Sequence, residues 1–564
     1  MKNIYLIGLL TLGGVALTGC DDFLDDNRYP MSQQIANPTF WNNSVNVQNQ
    51  INTFYEDFIG FGTGTNGNFY FNTLTDDQAG NVGSSGFQTW KFVNIPPSIS
   101  LWTNGYIEIR RANTIIQGVE GSTLSDSERD NFLGIARMMR GWEYYQLVRA
   151  FGDVPLVTKP LDPEDEAELY GPRTPRNEVM DFAIADLKFA AEKIAADASK
   201  IEFSKDLAKA ILTEVCLYEG TYAEYHAHDA ARKQTMLNQV VTTAGELLDK
   251  YPVGTDYRAL YSSIGDDLKS NDEIIFMKAY KEGILMHSTI NWTSSSTAII
   301  GITRNAFDAY LFTDGKPLAS TTCNKDDAAV LDADNRLSLA TQLAVRDKRL
   351  EQTIYPYVMY MGNSYQATNT MPMTSTTGYG IFKYNNFDIP YADATSGYKN
   401  YTSAPLYWGA EIALAYAEAK AELGTIDDTD IAKTLNKLYA RAGLPDQTKA
   451  SLEAIADPAN NMGVSSLLWE IRRCRRCELI MDQDTRYWDL IRWHQLQLLD
   501  TKLNPTIEQG ANVKNATAAV GKIGDYIDAS FGNTRTFSER EYLYPIPANQ
   551  RALNPKLTQN PHWN

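Results

Sequence analysis

Cysteine and histidine are scarce in this chain of 564 residues, with five of each. Cys216 and Cys323 stand alone, and so few thiols make no disulfide framework. Cys474-Arg475-Arg476-Cys477 reads as mid-helix, with no preceding strand and no second C-x-x-C or spaced His pair. That argues against a thioredoxin-type motif and a zinc site, and leaves these thiols as small buried hydrophobes. His226-Ala227-His228 offers two ligands without a third, so no metal is indicated. Basic residues are also in deficit: 51 Lys and Arg face 69 Asp and Glu, a formal net charge of −18. Nucleic acid and anionic membrane surfaces need a basic face and are poor partners for such a chain. Beyond the N-terminus no apolar run approaches the roughly 20 residues of a spanning helix. G-x-S-x-G, H-E-x-x-H and phosphate-cradling glycine loops are missing, so no motif assigns a catalytic residue or a cofactor.

The N-terminus carries the strongest positive signal. Lys2 is followed by the apolar run 4–17, then Leu17-Thr18-Gly19-Cys20 and the acidic stretch Asp21-Asp22-Phe23-Leu24-Asp25-Asp26. The charged start, apolar middle and small residue before a cut describe a secretory signal peptide. A cysteine at the cut resembles the lipobox of bacterial lipoproteins, in which the thiol is acylated and becomes the first mature residue. The acidic cluster resembles the surface-export signal of Bacteroidetes-type lipoproteins. Residues 1–19 are expected to be the signal peptide, Cys20 the lipid attachment site and 20–30 a tether. More than one acyl chain makes such an anchor stable.

The remainder reads as helices separated by long aromatic segments. Ser125-Asp126-Ser127-Glu128 is a capping box, and Phe132, Ile135, Ala136, Met139, Trp142 and Tyr145 keep helical spacing until Gly152. Further helices are expected from Pro175, after Ser204 and over 230–250. In the C-terminal half, Ile412, Ala415, Tyr416, Ala419 and Leu423 form one stripe, and Ile431, Leu435, Leu438 and Tyr439 the next. Ala-rich helices of this length, joined by short turns, suit tetratricopeptide-like pairs, though no clean 34-residue repeat stands out. The best strand candidate is 273–277. Between about 251 and 403 helical signals thin out and Tyr, Trp, Asn, Ser and Thr dominate. Long aromatic loops on a rigid scaffold are where a binding surface is expected.

Several segments together resemble the SusD/RagB family of nutrient-uptake lipoproteins. They are Ile109-Arg110-Arg111-Ala112-Asn113-Thr114-Ile115-Ile116; ARMMRGWEYYQLVRAFGDVPL over 136–156; Arg173-Thr174-Pro175-Arg176; ALAYAEAKAEL over 413–423; and LNKLYARAGLP over 435–445. RRCRRCEL and RYWDLIRW follow within 471–493, and Tyr542-Leu543-Tyr544-Pro545-Ile546-Pro547 with Asn554-Pro555 and Gln559-Asn560-Pro561 close the chain. Two departures stand out: Cys474 takes a position where the family usually has Glu, and Asp482-Gln483 stands where Glu-Gly is common. Most of these motifs read as structural, with Arg110, Arg111, Arg486, Asp489 and Arg492 as packed ion pairs rather than ligand contacts.

The resemblance implies a mainly α fold of tetratricopeptide-like helix pairs supporting long irregular aromatic-rich loops, with little β. Residues 31–564 would form one SusD-like unit: an N-terminal helical part (about 31–250), a loop-rich ligand face (about 251–403) and a C-terminal helical part (about 404–564). It implies a cell-surface receptor, lipid-anchored in the outer membrane, that binds an oligosaccharide without cleaving it and serves a SusC-like TonB-dependent transporter; a peptide is the alternative ligand. Sugars rest their C–H faces on aromatic rings and their hydroxyls on amides. The loops carry no fixed motif, so candidates come from two aromatic zones, 68–90 and 280–391. Trp90 and Trp292 are expected to stack on the ligand, with Tyr70 and Tyr360 behind them and Asn291 and Asn68 as hydrogen-bonding residues. The rival from another class is an exported glycosidase, which needs two carboxylates converging about 5–10 Å apart. Asp76-Asp77 is a local pair whose neighbours in an extended loop point apart. A third possibility is a scaffold that binds only proteins.

Overall fold

A computed structural model describes residues 37–62, 73–80, 87, 90–196, 199–294, 300–334, 336–359, 375–516 and 521–563. Its longer helices are α1 (Ser44–Asn52), α2 (Ser100–Glu120), α3 (Asp126–Phe151), α4 (Arg176–Lys193), α5 (Lys205–Tyr222) and α6 (Ala230–Leu248) in the N-terminal half. A short α7 (Thr289–Ser294) precedes α8 (Gly409–Glu422), α9 (Asp428–Lys433), α10 (Leu435–Arg441), α11 (Ser466–Glu478) and α12 (Thr485–Arg492). Strands are brief: β1 (Gln78–Gly80), β2 (Ile274–Lys278), β3 (Ile300–Ile302), β4 (Ile354–Met359), β5 (Gly378–Ile381), β6 (Ala404–Trp408) and β7 (Gln509–Asn512) are the main ones. The fold is mainly α, as expected.

Local chemistry sets the helix boundaries. Ser125 and Glu128 cap α3 reciprocally, satisfying backbone donors that have no partner within the helix. The helix stops at Gly152, whose φ of +70° suits a residue without a Cβ. Ser204 accepts from the Leu207 amide at 3.2 Å and starts α5. Pro175 stands just before α4 rather than inside it. The stripe from Ile431 to Tyr439 is not one helix: it breaks at Thr434 (φ −116°, ψ −86°) into α9 and α10.

Consecutive helices pack in series, α2 on α3, α3 on α4, α4 on α5 and α5 on α6, and α6 then meets α8, which meets α11. At the α3–α4 crossing a Cβ on Gly141 would lie 2.7 Å from the Ala183 carbonyl oxygen, so only glycine permits this approach. One large apolar core, including Trp408, Trp493, Tyr144 and Ile471, runs through both halves. The C-terminal segment straps across α3. The Tyr544 amide donates to Ala150 O at 2.7 Å, and the Asn560 amide group bridges Phe151 O and Tyr544 O at 2.8 and 2.7 Å. Among the described residues, no helix is long and apolar enough to cross a membrane.

Candidate ligand-binding face

The two aromatic zones, far apart in sequence, meet in space. β1 pairs antiparallel with β3, with Gln78 opposite Ile302 and Gly80 opposite Ile300. β3 packs on β5, and Thr376 Oγ1 donates to Ala79 O at 3.0 Å. Gly301 makes that approach possible, since a Cβ there would fall 2.2 Å from Thr377 Oγ1 and 2.3 Å from Ser375 Oγ. β5 joins β4, and the short strands Leu337–Ser338 and Val330–Leu331 extend the sheet.

Three of the sequence candidates lie among the described residues. Trp90 is half-buried; its indole N–H donates to Thr536 O at 2.7 Å and its ring lies 6.3 Å from that of Phe537. It therefore sits against the chain around 536–537 with part of one face open. Trp292 is half-buried on α7 and Asn291 beside it is buried. Cys20, Asn68, Tyr70 and Tyr360 lie outside the described residues, as do residues 1–30, where a signal peptide and tether are expected.

α7 is fixed by a polar frame. The Ile290 amide donates to Asn400 Oδ1 at 2.9 Å, and Ile290 packs with Ile389 and Ala394. His287, buried, accepts at Nδ1 from the Thr289 amide (3.2 Å) and donates from Nε2 to Thr402 O (2.9 Å). Acceptance at Nδ1 needs the neutral imidazole, protonated at Nε2. Burial holds its pKa down to about 3.

The segment docked on α7 contains aromatics the sequence candidates omitted. Phe387, Tyr391 and Tyr398 are 67%, 42% and 60% exposed, three large rings open to solvent within one segment. Phe387 is backed by Phe382 at 5.9 Å, which meets Tyr355 edge-on (4.9 Å) and lies beneath the Arg258 guanidinium (3.8 Å). Asn385-Asn386 before Phe387 and Pro390 after it are the turn-forming residues that could have marked this loop in sequence.

Behind the face lies a buried lattice of ion pairs centred on α11 and α12. Arg486 grips Asp76 through two bonds (2.8 and 2.6 Å), and Arg476 Nε donates to Asp77 Oδ1 at 2.6 Å. Burial alone would raise the Asp76 pKa, yet Arg476 and Arg486 hold it below the usual carboxylate range. For Asp77 burial wins and the pKa rises. Arg492 makes a bidentate pair with Glu418 (2.9 and 2.7 Å), to which the Trp493 indole also donates (2.6 Å). Against the opposing effect of burial, Arg492 and Arg472 keep Glu418 down to about 2. Lys383 binds Asp482 at 2.9 Å, tying the sheet to the loop between α11 and α12. Arg486, Asp489 and Arg492 are thus packed ion pairs, as read from the sequence, and both Asp76 and Asp77 are engaged by arginines. Among the described residues, no group of His, Cys, Asp and Glu is arranged to hold a metal ion.

A model of the SusD family matches residues 265–563, more than half of the chain. The chain belongs to the SusD family. A second family model, described as starch-binding and associating with the outer membrane, matches residues 22–217. Among curated relatives, a SusD-like protein of Formosa agariphila is 26% identical over 228 residues, covering 39% of this chain and 43% of that one. A second from the same organism is 33% identical over 125 residues, covering 22% and 24%. The matches thus span less than half the length of these relatives. The crystal structure of a SusD-like carbohydrate-binding protein from Bacteroides fragilis aligns with a TM-score of 0.69 at 21% identity, over 92% of this chain and all of that one. A laminarin-binding SusD-like protein aligns at 0.55 and 19% identity, over 92% and 98%. At such identities these two structures establish the shared fold.

Proposed function

We propose that this SusD-family protein captures a nutrient glycan at the cell surface without cleaving it and passes it to a SusC-like TonB-dependent transporter. Cys20 would be acylated after removal of residues 1–19, anchoring residues 31–564 in the outer membrane through the 20–30 tether. The observation that carries the reading is the aromatic face, with α7 and its Trp292 docked on a loop that presents Phe387, Tyr391 and Tyr398 to solvent. Rings and amides side by side suit the C–H faces and hydroxyls of a sugar. Family membership, together with the carbohydrate binding and laminarin binding of the two structural neighbours, supports the same class of ligand. Asp76 and Asp77, the local acidic pair, are held by arginines, which supports binding over hydrolysis.

The test is an array of glycans and peptides probed with purified protein at two salt concentrations. Saturable binding of a neutral oligosaccharide, unchanged between 50 and 500 mM salt by about twofold or less, is expected because no counterions are released. Binding confined to peptides overturns the glycan assignment.

A further inference from the structure

A cavity of about 410 Å³ opens among α2, α3, α5, α8 and α12, in the helical scaffold, and shares no named residue with the loop face. Its size falls within the roughly 300–1,000 Å³ of small-molecule sites. Exposed Glu56, Ile59 and Asn104 stand at its wall, giving access from solvent. Its cations already have partners: Arg149 faces Glu214 at 3.7 Å, and Arg475 and Arg492 both bind Asp489, at 2.9 and 2.8 Å. Of the lining carboxyls, Asp57 and Glu411 each bury one oxygen that has no hydrogen-bond partner among the described residues, and Glu143 also lines the wall. Glu143 is only 6% exposed. Burial, helped by neighbouring carboxylates, raises all three pKa values, Asp57 to about 7 and Glu411 to about 8, and outweighs the lowering effect of Arg111 on Asp57, Arg149 on Glu143 and Arg475 on Glu411.

The same cavity is lined by unused donors. Tyr218 OH and Arg475 Nη1, on residues 3% and 5% exposed, have no hydrogen-bond partner among the described residues, and neither has Arg149 Nε. Because the arginines are already neutralised by carboxylates, these donors call for a neutral acceptor such as a hydroxyl rather than for an anion. Trp142, Tyr145 and Trp488 add aromatic surface, with the Arg149 guanidinium already over the Tyr145 and Trp488 rings at 4.9 and 4.2 Å and Trp142 stacked on Phe58 at 5.4 Å. Among the described residues, no group of His, Cys, Asp and Glu is placed to hold a metal ion.

We propose that this cavity is a second ligand site, for a hydroxylated ammonium of the amino-sugar class, its ammonium held by Asp57, Glu143 and Glu411 and its hydroxyls by Tyr218 and Arg475. The probe is glucosamine, titrated calorimetrically into the full purified chain beside N-acetylglucosamine and glucose. These have similar rings without the charge. Glucosamine is expected to bind saturably and about tenfold or more tighter than either, and to raise the melting temperature. Glu143→Gln is expected to lose that preference while melting at the same or a higher temperature, because a buried carboxyl has been removed. Glu411→Gln gives the same reading from another helix should the first variant fail to fold. Equal affinity for the three sugars, no saturable binding of glucosamine, or an intact preference in a folded variant would overturn the proposal.

Discussion

Asp76→Asn separates a structural carboxylate from a ligand-binding or catalytic one. Asp76 is 1% exposed; Arg486 Nε lies 2.8 Å from Oδ1, Arg486 Nη2 2.6 Å from Oδ2, and Arg476 Nη2 3.3 Å from Oδ2. Asparagine keeps the shape and one acceptor oxygen but removes the charge that balances two buried guanidiniums. Removing one partner of a buried pair costs about 3–5 kcal/mol, and the retained acceptor places this substitution near 3. Asp334→Asn is the control: its carboxylate also meets an arginine, Arg336 at 3.0 Å, but its side chain is 70% exposed, so the loss stays under about 1 kcal/mol. Because the folded pKa of Asp76 is depressed, its contribution is fully present above the ordinary value of 3.8 and is lost only as pH falls through the lower folded value. Urea unfolding at pH 7 therefore reads the whole effect. Equal stability of the two variants would refute the reasoning and reopen Asp76 as a candidate catalytic carboxylate.

Other perturbations reach the remaining parts of the structure. Phe387→Ala truncates a ring that is 67% exposed, so stability is expected to change by no more than about 0.5 kcal/mol while glycan affinity falls about tenfold by calorimetry. His287 has a folded pKa near 3 against 6.5, so its neutral form stabilises the fold fully above pH 6.5 and this contribution is lost as pH falls toward 3. Between pH 7 and 4.5 the wild type should lose about 3 kcal/mol more than His287→Gln in urea unfolding. Gly141→Ala forces a Cβ to within 2.7 Å of the Ala183 carbonyl, and is expected to destabilise by about 1–3 kcal/mol in the same assay.

The helices were the most legible part of the sequence because their signals are local. The Ser125–Glu128 box, the Ser204 cap and the Gly152 stop each act within a few residues, and each stands where the structure begins or ends a helix. Strand Ile274–Lys278 was visible as an apolar run, but β1 and β3 are three residues each and exist only through pairing with one another across the chain. No local periodicity can announce such pairing. The break at Thr434 was hidden because the apolar spacing continues across it; in the structure Thr434 Oγ1 turns back to Asp430 O at 2.7 Å. Cys474, standing where a Glu is usual, opens no gap in the charge lattice. Its sulfur lies 3.7 Å from Arg349 Nη1, and that guanidinium is already met by Asp347 and Glu478. Gln483 occupies φ +48°, a conformation in which the glycine usual in the family would be less strained, and its side chain compensates by donating to Leu406 O at 2.8 Å. On the binding face, composition pointed to aromatic loops in general, whereas the exposure of Phe387 and Tyr398 depends on how the 382–400 chain folds back onto α7.

The central claim is capture without turnover, and the most direct measurement is prolonged incubation of the purified protein with the oligosaccharide it binds best, followed by chromatographic sizing of the sugar. Full recovery at its original length, in the presence of saturated protein, is the predicted result. Shortened products that grow in proportion to protein concentration would contradict the account.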